Sequence, residues 1–486
     1  DPDVIRVEDT YYMVSTTMHF MPGCEILQSF DLVHWEHATY VYETLDHTDA
    51  QQLKSGQNIY GQGMWAASLR YHEGRFYICF VANDTRKTYL YTSEKIDGPW
   101  KKQLIEGFYH DGSLLFDEDG RNYIVYGNDE IWITELNEDL TAPKKDGLHR
   151  LLVSDHKNPE LGYEGSHIQK INGYYYIFLI HSLRDRWMRT EACFYSDSLE
   201  GEFTGGDVLC DDRGYCGQGV AQGGIVDTPD GKWYAMLFQD SGAVGRIPIL
   251  VPVTWKDHFP VFGQNGHVPE EIEVHSTRPG YIYQPLVGSD DFCNGLLPRW
   301  QFNHDPDPRY YHLDALQGTY TITTREVCTE LTQAVNTLTQ RMSYPSCAAE
   351  VTVDASALKE GDVAGLCALQ SCYAAVGITK HHGKYEVLML DKKEDGILDM
   401  TERTVVESHQ MDFRLEADFC NMKDEARCYY RVNKGDWLPI GTVHKLYFKL
   451  DHFTGCRFGL FCYAAEETGG SACFRDFKYY DVDEIS

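Results

Sequence analysis

The chain has 486 residues, 43% hydrophobic and 24% charged, an ordinary globular composition long enough for about two or three domains. Its formal net charge of −31 argues against nucleic acid and anionic membrane surfaces, which both call for a basic patch. No apolar run is long enough for a transmembrane helix, and no signal peptide is visible. The 15 cysteines include no CxxC pair, which speaks against a zinc site and for a reducing, cytoplasmic setting.

In chain order, the first half carries five hairpin signals. They are Glu8-Asp9-Thr10 before Tyr11, Glu73-Gly74 before Arg75, Asp119-Gly120 before Arg121, Asn172-Gly173 before Tyr174, and Asp230-Gly231 before Lys232. Asn-Gly between apolar or aromatic runs is the strongest short-range hairpin signal. The turns recur about every 45 to 65 residues, with further strands between them, and this predicts the blades of a β-propeller. Trp35, Trp100, Phe203 and Trp255 close successive units. The 33 Tyr, 22 Phe and 9 Trp suit half-buried sheets, and aromatic faces also stack on sugar rings.

Counting back nine residues from turn positions 10, 74, 120, 173 and 231 reaches Asp1, Trp65, Asp111, Glu164 and Gln222. Side chains alternate faces with a period of two, so equal offsets on five inner strands mean equal depth and equal facing. Three carboxylates, a Trp and a Gln should therefore converge at one end of the channel. Burying several acids together is costly unless they are paired or functional.

Beyond Val287 the hairpin period stops. Short alternating strands such as Cys347–Val353 and Tyr373–Ile378 predict a β-sandwich. The expected architecture is all-β: a five-bladed propeller over residues 1–287 and an accessory sandwich over 288–486. Thr329–Thr339 reads equally as a short helix or a loop.

Two carboxylates beside a sugar-sized pocket are the parts for glycoside hydrolysis, one protonated to serve the leaving oxygen and one ionised to activate water. Units one and four are not adjacent in a ring of five, so Asp1 can face Glu164 across the gap. Asp111 lies one blade from Glu164, where its charge should raise the pKa of Glu164 and keep it protonated.

Three stretches together resemble glycoside hydrolase family 43. They are Asp1-Pro2-Asp3-Val4-Ile5, His110-Asp111-Gly112-Ser113-Leu114-Leu115-Phe116, and Glu164-Gly165-Ser166-His167. The resemblance implies a five-bladed, inverting enzyme with Asp1 as general base, Asp111 as positioning acid and Glu164 as general acid; Asp3 is the fallback base. Gly63-Met64-Trp65-Ala66 is similar to a family motif whose Trp borders the sugar subsite. The segment Ser15 to Gly23 resembles its aromatic wall, which points to Phe20. Gly245-Arg246 resembles a sugar-binding Gly-Arg. Asp291-Phe292 through Asn303 resembles the start of an accessory sandwich, and Glu466–Cys473 is the expected loop from it to the pocket rim.

The function so implied is an inverting exo-hydrolase releasing xylose and/or arabinose from the non-reducing ends of hemicellulose oligosaccharides. An endo-arabinanase and a non-catalytic carbohydrate-binding propeller are the alternatives. Expected substrate contacts are Phe20, Trp65, Gln222 and Arg246. No cofactor is required and no catalytic metal is expected. A structural or activating calcium in the channel stays open, with His167 or Gln222 to hold its waters. Gly217-Gln218-Gly219 stands where relatives often carry Gly-His-Gly. Asp1 opens the chain where leading residues normally stand, so a trimmed N-terminus is expected, and an export signal would have gone with it. A homo-oligomer is compatible with everything in the sequence.

Overall fold

The computed structural model describes residues 1–481. Among them the regular structure is β-strand, apart from four single 3₁₀ turns. No helix of the described residues is long and apolar enough to cross a membrane.

The first part of the chain forms five four-stranded antiparallel sheets. Each opens with an inner strand: Asp3–Val7, Met64–His72, Ser113–Phe116, Glu164–Ile171 and Ile225–Asp227. These are blades 1 to 5. The turns follow from residue type. Asn172 and Gly173 both take left-handed backbone (φ 51° and 86°), as do Glu73 and Gly74 (48° and 78°). This matches the twist of a two-residue hairpin. The Asp-Gly hairpins are longer, closed by Asp117 N–H to Arg121 O and Thr228 N–H to Lys232 O, with the glycine alone left-handed.

Blades pack face to face through the apolar half of each alternating strand. Leu115, Tyr123, Val125 and Ile131 of blade 3 meet Ile168, Tyr175, Ile177 and Leu179 of blade 4. Each such side chain contributes about 1.5–3 kcal/mol on burial. The ring closes without a shared strand. Val4, Tyr11 and Met13 of blade 1 pack on Val226, Tyr234 and Met236 of blade 5, and Arg6 pairs with Asp227 at 2.5 Å.

After Phe262 the chain crosses the outside of blade 1, where Tyr281 Oη and Gln284 N–H both donate to Glu36. It then builds two antiparallel sheets of eight and seven strands around one large apolar core. The Thr329–Thr339 stretch is a single turn, Leu331–Gln333, followed by the start of strand Leu338–Arg341. The two-residue strand Phe20–Met21, within blade 1's sequence, pairs with Gln301–Asn303 and so belongs to the eight-stranded sheet. Propeller and sandwich therefore share a sheet.

Candidate active site

The five register residues sit at the entrances of the five inner strands. Asp1 is buried at the start of blade 1. Thr16 Oγ1 donates to its Oδ2 at 2.5 Å, and the Arg246 guanidinium of blade 5 grips its Oδ1. Arg246 also reaches Asp240 at 3.3 Å, with Phe238 and Phe453 on its faces at 4.5 and 4.2 Å. Its positive charge also acts on Glu164 and Asp111, which ties the three carboxylates electrostatically. Asp111 Oδ2 accepts the N–H of Gly165, the neighbour of Glu164, at 3.0 Å. Glu164 Oε2 accepts the amide of Asn128 at 2.7 Å.

His110 stands between the last two acids, its Nε2 3.5 Å from Asp111 Oδ2 and 3.5 Å from Glu164 Oε2. This reverses the expected electrostatics. Burial pushes the Glu164 carboxyl up, but the nearby His110, with Arg189 and Arg246 adding, outweighs it, so Glu164 ends below its usual range. Burial raises Asp111, with His110 opposing and Glu164 adding to the rise. The expectation that Asp111 alone holds Glu164 protonated left out the cation between them.

One layer deeper the channel is closed by a separate network. Asp3 Oδ2 accepts Leu69 N–H at 2.7 Å and Arg70 at 2.8 Å, and its Oδ1 meets His167 Nδ1 at 3.1 Å. Arg70 continues to Ser113 Oγ and to the carbonyls of Leu114 and Ile168. Ser113 Oγ in turn accepts Ile168 N–H. Blades 1 to 4 are thus tied at the axis by one carboxylate and one guanidinium. Burial opposes ionisation of Asp3, but Arg70 and His167 hold it below the usual carboxylate range.

Trp65 meets Phe453 of the sandwich edge to face, centroids 5.5 Å apart. The second domain therefore does reach the site, but through the loop around Phe453 and not through Glu466–Cys473. That other loop packs inside the sandwich, with Glu467 paired to Lys359 and Gly470 against Asp362. The Phe453 loop is seated by Cys456 N–H on Ala243 O and by Gly455 against Val244.

One further expectation is corrected. Phe20 is fully buried. Its strand pairing turns it into the sandwich core beside Leu331 and Cys367, under the Arg457 guanidinium at 3.6 Å, so it walls no pocket. Gln222 is also buried. Its N–H donates to Glu191 at 2.7 Å and its side chain lies over Gly165, which makes it a support for Glu164's backbone.

A cavity of about 490 Å³ runs from Asp1, Arg246 and Phe453 into the seam with the sandwich, past Tyr40 and Arg341; Asp111 and Glu164 are not on its wall. His110, Asp111 and Glu164 present one nitrogen and two carboxylate oxygens within 4.8 Å of one another. A transition metal could use those donors, but it would take the very atoms available for proton transfer.

A five-bladed propeller with opposed carboxylates and an arginine at its mouth, walled by a sandwich aromatic, defines a carbohydrate-cleaving class. Residues 1–260 match the model of the glycosyl hydrolases family 43, and residues 289–480 match a beta xylosidase C-terminal concanavalin A-like domain. The chain belongs to glycoside hydrolase family 43. It is 26% identical over 546 residues to a beta-xylosidase of Formosa agariphila, covering 99% of this chain and 87% of that one. It is 24% identical over 428 residues to a non-reducing end alpha-L-arabinofuranosidase of Bacteroides ovatus, covering 82% and 78%. A solved structure described as a bifunctional GH43-CE protein of Bacteroides eggerthii superimposes with a TM-score of 0.91 at 42% identity. That likeness covers 99% of this chain, which spans 62% of the other protein's length.

Proposed function

We propose that this chain is an inverting, exo-acting hydrolase that releases xylose and/or arabinose from short hemicellulose oligosaccharides. The observation that carries the reading is the placement of Asp1 and Glu164 on non-adjacent blades with Arg246 acting on both. Glu164 gives its proton to the glycosidic oxygen as the C–O bond breaks. Asp1 takes a proton from a water that attacks the anomeric carbon from the opposite face. Arg246 favours an ionised Asp1, as a base requires. The relatives named beta-xylosidase and alpha-L-arabinofuranosidase support a pentose in the pocket. The Trp65–Phe453 corner supports a site closed at one end, as exo action needs.

The chemistry needs no metal. At the axis Asp3 is already paired with Arg70, which leaves His167 or Gln222 to hold the waters of a calcium in the channel. EDTA treatment should leave turnover unchanged; a loss restored by calcium would overturn this part. All 15 cysteines are free, which supports a reducing compartment. The deciding experiment is a screen on nitrophenyl β-xyloside, nitrophenyl α-L-arabinofuranoside and linear arabinan, with proton NMR of the first product. Release of the inverted pentose from an aryl glycoside is expected. A retained anomer sinks the mechanism, internal cleavage of arabinan makes the chain an endo-enzyme, and binding without cleavage makes it a lectin-like propeller.

A further inference from the structure

The proposed acid has a supply problem. Glu164 must carry a proton at the moment of bond cleavage and be recharged after every turnover. Yet Asn128 and His110 both face its Oε2, and both favour the carboxylate. Across His110, Asp111 and Glu164 the question is where one proton rests.

His110 is held for this position. Its carbonyl accepts Gly127 N–H at 3.1 Å. The left-handed backbone of Asp111 (φ 47°) breaks the strand alternation that would point adjacent side chains apart. The His110 ring stands 6.3 Å from that of Trp65. Its Nε2 is buried without a hydrogen-bond partner and stands 3.5 Å from each of the two carboxylates. The charges facing it are Asp111 and Glu164, opposed by Arg86 of blade 2, whose guanidinium lies on Phe108 at 3.9 Å. Arg189 and Arg246 act on Glu164 from the far side.

We propose that His110 is the proton reservoir of the acid: the proton rests on His110 Nε2 in the empty site and crosses to Glu164 Oε2 when a glycoside fills the pocket. This rests on the reading of Glu164 as general acid. The step balances. One N–H bond breaks and one O–H bond forms. Imidazolium and carboxylate become neutral imidazole and carboxylic acid, and the net charge of the trio is unchanged. Substrate drives the transfer by expelling water, because desolvation disfavours the charged pair relative to the neutral one. Glu164 then protonates the leaving oxygen, and solvent returns a proton to His110. Asp111 acts here through His110: its charge, opposed by burial and helped by Glu164, lifts the imidazole pKa to about 9. The reservoir is therefore full at neutral pH.

The test uses His110→Gln, which keeps a hydrogen-bond donor, and His110→Phe, which keeps a ring. Each is assayed on xylobiose, whose leaving group needs a proton, and on 2,5-dinitrophenyl β-xyloside, whose leaving group does not. With xylobiose, the alkaline limb of kcat/KM should fall from about 9 by about four pH units in both variants, toward the ordinary range of a carboxyl. With the dinitrophenyl substrate, the substitution should move no alkaline limb, and any loss of rate should be the same at every pH. Equal losses on both substrates, or an unmoved limb, overturn the proposal. In the wild-type protein, ¹⁵N-histidine NMR should find His110 protonated when empty and neutral with xylose bound; an imidazole already neutral in the empty protein also overturns it. A Glu164→Gln variant that still cleaves xylobiose refutes the acid assignment instead, which separates the two failures.

Discussion

The mouth of the channel and the layer beneath it are built from the same parts and do different work. Asp3 begins the first inner strand and Asp1 stands two residues before it. Each is buried and each meets an arginine from another blade. Asp3, however, has three partners, a backbone N–H, a guanidinium and an imidazole, and Arg70 spends its other nitrogens on blades 3 and 4. Asp1 is held by Thr16 and Arg246 in a layer that also presents Glu164, Asp111 and Trp65. A carboxylate whose three partners tie it to neighbouring blades is a rivet; one held by two partners beside a cavity can accept a proton. Residue type does not separate the two, and the partner list does.

The comparison breaks most decisively at the mouth. Asp1→Asn and Glu164→Gln should each lower turnover by about 10³–10⁵-fold on nitrophenyl pentosides, with a melting temperature close to wild type. A variant that unfolds would move Asp1 into the structural class. Asp3→Asn should do the opposite. Breaking one partner of a buried ion pair costs about 3–5 kcal/mol, read as a lower denaturation midpoint, while the folded fraction keeps most of its activity. Removing Phe453 as Phe453→Ala should raise KM by about tenfold with little change in kcat, if the sandwich supplies a wall and no chemistry. Asp111→Asn should move the alkaline limb of kcat/KM downward by about one pH unit, because it removes the main charge that keeps the His110 proton in place; an unchanged limb would remove Asp111 from the electrostatics.

A separate effect, on stability and not on turnover, concerns the seam between the domains. His19, His304 and His452 are buried there with ring centroids 4.7 and 5.5 Å from His19. Burial, with His452 adding, holds His304 down at about 3, so the native state keeps it neutral. The unfolded chain protonates it near 6.5, so stability is full above that pH. It falls by about 1.4 kcal/mol per pH unit as pH drops toward 3. Melting curves of wild type and His304→Gln from pH 7 to 4 should converge if this holds.

The layer of register residues was legible because each hairpin turn carries its own punctuation: Asn-Gly, Asp-Gly and Glu-Gly fix where each inner strand ends. The residues that were not legible share a cause. His110 precedes a register position, so period-two alternation points it away; only the left-handed Asp111 backbone brings it round, and nothing in Phe108-Tyr109-His110-Asp111 announces that turn. Phe453 arrives from a loop nearly 400 residues from Trp65 in sequence, and no local pattern links them. Gly469-Gly470 suggested a rim loop, but those glycines are needed where backbone crosses Lys359 and Asp362. Phe20 looked like a wall because its segment resembles the family's aromatic wall. Its partner strand, which decides its facing, lies in the other domain.

That pairing of Phe20–Met21 with Gln301–Asn303 also limits how this molecule can be cut. A propeller ending near residue 287 would leave a two-residue strand without its ladder, together with the apolar seam around it, and the remaining sandwich would gain a bare edge open to mispairing. Truncation libraries and chimeras that exchange one half for a relative's should give insoluble products wherever the junction ignores this short strand. A graft that respects this stitch must carry the blade 1 segment along with the sandwich.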